Sequence, residues 1–225
     1  MIQILRICVK FCLYLIKIGE YMSYFINFLR VPKAGKSTDL LNAMKESITA
    51  TGRPGNITLP VSSGNPAANR PALVSLIAGF KDIGEIDDLQ NQFASNESAM
   101  RNLDAIDAMC DKTSYIVSEI VSDPITPSGE ANIVSRTSMT AKPGNSLALL
   151  EAALKFQSDL GAENMVISRP ISGPIGTIRM SVFSKNLQDL SEQMKEAPKH
   201  IGGMPDLVSS QPIRYIGRIV HRNKN

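Results

Sequence analysis

Three arginines sit in segments that read as β-strands: Arg136, Arg179 and Arg218, with Asn132 and Tyr215 in the same segments. A guanidinium is a permanent cation with a planar fork of donors. Several on one surface would hold a carboxylate or another small planar anion. Alternation groups Asn132, Arg136 and Ser138 with Thr177, Arg179 and Ser181, and with Arg214 and Arg218, on one sheet face. The alternative is structural: the arginines are solvated at strand ends or paired with an acid such as Glu119. Tyr215, like Tyr115 in a similar strand, could donate to a ligand oxygen or exchange a proton with it. A strand tyrosine more commonly packs its ring and satisfies its hydroxyl.

A second stretch, "KAGKST" (33–38), carries the Gly-Lys-Ser of a phosphate-binding loop. Such a loop needs a glycine five residues before the glycine of Gly-Lys, and Arg30 occupies that place. Gly35 and Ser37 are therefore read as a tight turn and a helix cap. Ser63-Gly64 and Ser172-Gly173 read as turns between paired strands, without a nearby histidine or acid to activate a nucleophile. The two histidines, His200 and His221, lie late in the chain, and the three cysteines form no Cys-x-x-Cys pair. That scarcity argues against a metal centre and a disulfide framework, and no cofactor is expected. A net charge of +3 is too small for a nucleic-acid footprint.

The elements that must carry these residues are written twice. "AGKSTDLLNAMKES" (34–47) aligns with "PGNSLALLEAALKF" (143–156), and the same offset places Gly52 on Gly161 and "VSSG" on "PISG". Each half then reads strand, helix, two strands, helix, strand. Strands are expected at 24–31, 56–62, 72–80 and 113–121, and again at 131–139, 164–170, 176–183 and 212–221. The helices follow from apolar spacing: 37–50, 83–97, 146–160 and 186–197, capped by Ser37, Asp82, Ser146 and Asn186. "SAMRNLDAIDAMC" extends the second helix. The fold class is α+β: two tandem ferredoxin-like βαββαβ repeats with antiparallel sheets, the first over 22–126 and the second over 127–225. Hydrophobic residues make up 43% of the 225, enough for a sizeable core.

Residues 1–21 stand apart from this pattern. The segment is apolar but broken by Arg6, Lys10 and Lys17, which suits neither a signal peptide nor a spanning helix. Two readings remain: an interfacial membrane helix, or a start of translation at Met22. With the second, Cys110 is the only thiol, which suits a cytoplasmic location. No membrane partner is expected unless residues 1–21 are genuine.

Two such units in one chain resemble the dimeric α/β-barrel superfamily in its tandem, fused form. The resemblance covers nearly all of 23–221 and rests on architecture. It implies two four-stranded sheets packed face to face with helices outside, and it allows a homo-oligomer. The superfamily contains cofactor-independent monooxygenases, haem enzymes, lactone isomerases and stress-type proteins, so fold alone does not choose among them. The haem branches need a pocket histidine, for which His200 and His221 are poorly placed. Trp, common in the monooxygenase branch, is absent. The resemblance turns the arginine face inward. The expectation is a protein that binds a small anionic or aromatic metabolite in an Arg-containing cavity lined by Arg136, Arg179, Arg218, Tyr215 and Asn132. The alternatives are a cofactor-independent monooxygenase or isomerase, and a stress or interaction protein without catalysis.

Overall fold

The structure, a computed structural model, describes residues 24–63, 72–123 and 130–223. The expectations for residues 1–21 lie outside these. Eight strands form one closed antiparallel barrel: β1 (Tyr24–Pro32), β2 (Gly55–Ser63), β3 (Leu73–Phe80), β4 (Cys110–Ile120), β5 (Ile133–Thr140), β6 (Met165–Pro170), β7 (Thr177–Ser184) and β8 (Ile213–Asn223). Around the barrel the order is β1-β3-β2-β8-β5-β7-β6-β4, and β4 closes on β1. The first half contributes β4-β1-β3-β2 and the second β8-β5-β7-β6, the same order in each. Closure removes the open sheet edges that would otherwise invite aggregation.

Six helices accompany the barrel among the described residues: α1 (Ser37–Ala50), α2 (Gly84–Ser95), α3 (Glu97–Ala108), α4 (Ser146–Asp159), α5 (Leu187–Glu196) and the short α6 (Met204–Leu207). None is long and apolar enough to cross a membrane. α1 buries Leu40, Met44 and Ile48, the i, i+4, i+8 stripe of its sequence, against Ile26, Ile57, Ile77 and Phe80. α4 buries Leu149, Ala153 and Phe156 against Met139, Met165, Ile167 and Ile178. Each sheet thus has an apolar outer face under helices, and the other parity of every strand faces the barrel interior.

Some local expectations need correction. Ser37 and Ser146 are the first residues of their helices, not caps, and neither helix has a side-chain cap. The turns before them do match: Gly35 has φ +76° and Gly144 φ +82°, the left-handed conformation that glycine adopts without strain. Lys36 pairs with Asp39 at 3.1 Å, so "KAGKST" is an exposed turn into a helix. Asn186 does cap α5, accepting from the backbone of Gln188 and Asp189. The expected single helix from 83 onward is two. Asn96 is extended (φ −108°, ψ 99°), and its side chain accepts from Ala99 N to start α3.

Candidate functional site

The inward faces follow from the register. Thr58 lies opposite Val74, and Val74 opposite Leu29, which puts Asn27 on the same face. Phe25 opposite Ser118 extends that face to β4. On the other sheet Arg136 lies opposite both Ser181 and Tyr215, and Arg179 lies opposite Ser138 and Ser168. The structure therefore brings Arg136, Arg179 and Tyr215 together inside the barrel. Arg136 is 7% exposed. Its Nη1 donates to Thr58 Oγ1 at 3.2 Å, and its Cζ lies 5.8 Å from the centroid of the Tyr215 ring. Burial pushes its pKa down to about 10, the Tyr215 oxygen opposing the shift and the Arg179 charge adding to it. Burial likewise lowers Arg179 and raises the Tyr215 phenol.

Arg218 and Asn132 do not join them. Tyr215, not Arg214, is the residue opposite Arg136, so Arg214 and Arg218 take the outer parity. Arg218 is exposed there, opposite Leu59 and Ile133. Asn132 is exposed just before β5, where its backbone pairs with Ser184 and Ile219. Glu119 does pair with an arginine, but on the outer face and with Arg169, whose Nε donates to Glu119 Oε2 at 2.5 Å. Tyr115 is exposed on the outer face, 6.2 Å from Phe28 between ring centroids.

That outer ion pair borders a cleft the sequence did not announce. Its volume is about 540 Å³, and it opens between the start of α4, the β6–β7 loop and the seam where β4 meets β6. The seam is short: β4 and β6 pair only from Ser118 to Ile120, whereas β2 and β8 pair along most of their length. Beyond Pro170 the chain turns away through Gly173 (φ +103°) and Gly176 (φ +78°). A Cβ at Gly176 would stand 2.5 Å from Ser146 Oγ, so the loop returns tightly against α4. Leu147, Leu150, Ile171, Ile175 and Ile178 supply apolar wall beside Ser146, Ser172 and Thr177, and among the described residues Glu119 and Arg169 are the charged ones lining it. Leu147 and Ile175 are 68% and 93% exposed. Glu119 is buried, whereas the Arg169 side chain is half exposed, and its terminal amino groups have no partner among the described residues. The arrangement offers forked donors at the edge of an apolar slot.

No protein-family model and no curated protein sequence matches the chain. Solved structures do match. An anthrone oxidase-like protein superposes with a TM-score of 0.62 at 15% identity, over 90% of this chain and 92% of that one. A candidate monooxygenase from Fusobacterium nucleatum superposes with a TM-score of 0.66 at 11% identity, over 91% and 95%. A candidate chlorite dismutase gives 0.57 at 13% identity, over 89% and 96%. The fold is that of the dimeric α/β barrels. At these identities the likeness is one of fold.

Proposed function

We propose that the chain is a small-molecule-binding α/β barrel that takes an organic acid with an apolar or aromatic body in the cleft beside Arg169. One observation carries the reading: a cleft of about 540 Å³ walled in part by leucines and isoleucines, with one guanidinium at its edge whose terminal groups have no partner among the described residues. Pockets for small ligands span roughly 300–1,000 Å³ and combine mostly apolar walls with few polar groups. The carboxylate would meet the free side of Arg169 while the body covers Leu147, Ile171 and Ile175. We also infer that the barrel is two ferredoxin-like units in tandem, 22–126 and 127–225. Supporting this are the common strand order and the left-handed glycines Gly35 and Gly52, matched at one offset by Gly144 and Gly161.

The test uses 1-anilinonaphthalene-8-sulfonate, an aromatic anion, as a fluorescent probe. Saturable binding is expected, weakened by roughly 1–3 kcal/mol in Arg169→Met for one charged partner. Leu147→Glu should abolish it by placing a like charge in the slot. Equal binding by wild type and Leu147→Glu would refute the site.

The structural neighbours favour a second reading for the same cleft: cofactor-independent oxidation of a phenolic substrate by O₂. In such a step a ring methylene loses two hydrogens and becomes a carbonyl, one oxygen atom enters the product and the other leaves as water. Oxygen uptake on adding an anthrone, lost in Leu147→Glu, would support it. A bound anthrone without uptake leaves binding alone.

A further inference from the structure

We infer that the barrel interior holds a small monovalent anion of halide size against the guanidiniums of Arg136 and Arg179, in a site separate from the outer cleft. The two arginines are diagonal neighbours on adjacent strands, since Arg136 faces Ser181 and Arg179 faces Ser138. Diagonal pairs stand roughly 7–8 Å apart at Cα, within reach of long side chains. Arg136 is buried and Arg179 half-buried; two cations this close repel each other and lose hydration, and arginine does not escape by giving up its proton. A carboxylate would resolve the conflict, but among the described residues neither arginine has a salt-bridge partner. Among the described residues the Arg136 guanidinium meets only a hydroxyl and a ring face.

The surroundings point the same way. Asn27 is 1% exposed, faces the interior, and has no partner for either its Oδ1 or its Nδ2 among the described residues. Ser168, directly opposite Arg179, is fully buried with an unpartnered Oγ, and Ser118 beside it is the same. Buried polar atoms are normally satisfied, and the unpartnered Ser168 hydroxyl beside Arg179, with Ser118 on the next strand, describes one side of an anion cradle. Burial lowers the basicity of both arginines, and the Arg179 charge adds a smaller push on Arg136. Organic acids suit the open outer cleft. Inside, the facing donors are guanidinium and single hydroxyl groups on neighbouring strands, a spacing that suits a compact ion.

Thermal melts at fixed ionic strength, with gluconate progressively replaced by chloride, test the assignment. A ligand that binds only the native state raises its stability with concentration and saturates. The wild-type melting temperature is expected to rise saturably with chloride, and Arg179→Met to lose that dependence while staying at least as stable as wild type in gluconate. A wild-type melting temperature indifferent to chloride, or an undiminished rise in Arg179→Met, would overturn the site. If the variant fails to fold, crystals of the wild-type chain grown in bromide decide. Anomalous density within hydrogen-bonding distance of both guanidiniums is expected, and its absence there defeats the inference. Neither readout depends on the outer cleft, so the fluorescent-probe titration can fail while this site stands.

Discussion

His221 is a useful single residue because its environment opposes its charge. It lies on β8 opposite Ile57, half-buried, with no partner for Nε2 among the described residues. Burial, and then the nearby Lys45 charge, hold its pKa below the ordinary 6.5. An unfolded histidine takes up its proton near that ordinary value, whereas the native one resists until lower pH. The resulting stability is present above pH 6.5 and is lost as the pH falls through the native value. Carboxylates such as Glu130 and Glu196, lowered by Lys185 and Lys199, titrate below this window. Urea melts between pH 7 and about 5 should therefore show a shallower loss for His221→Gln than for wild type. Parallel pH profiles for the two proteins would contradict this. At the same scale, the inward arginines show how far single residues were legible. Arg179 could be placed from strand alternation because Ile178, Met180 and Val182 contrast with Thr177, Arg179 and Ser181, and Arg136 followed with Ile133 and Met139 on its opposite parity. Arg218 could not. "IRYIGRIVHR" is mixed on both parities, and a one-residue choice of register sends Arg218 either inward or outward.

At the scale of elements, the periodic segments were readable and the irregular ones were not. The strands and the α1 stripe follow spacing that a core face imposes, whereas α4 buries Leu149, Ala153 and Phe156 and leaves Leu147 exposed. The break at Asn96 follows from one polar residue preferring to cap a new helix over continuing the old one. The β8 register is further disturbed by irregularities against β2, between Ile57 and Thr58 and between Pro60 and Ser62, which no local pattern predicts. β2 is fixed at its start by Gly55, opposite Ile77. A Cβ there would stand 2.5 Å from the Leu76 carbonyl oxygen and 3.1 Å from Ile48 Cγ2. The first obstacle is backbone, so it cannot swing aside. Gly55→Ala should cost about 1–3 kcal/mol, the range for overpacking, read as a lower urea midpoint with an unchanged slope. A wild-type midpoint would mean that β2 and β3 can separate there at no cost.

At the scale of the whole molecule, the barrel divides its chemistry between an inside and an outside. The architecture was legible because a duplicated order of elements leaves few ways to bury two sheets. The cleft was not, because it depends on how briefly β4 and β6 pair and on where the loop after Pro170 returns. Those are properties of closure, set by contacts between distant halves. If the cleft holds an organic acid, native mass spectrometry of the purified chain detects it. Wild type should carry one small acid per chain, released on denaturation, and Leu147→Glu prepared identically should carry none. A wild-type chain that is always empty, or the same acid retained by Leu147→Glu, would contradict an acid-binding cleft.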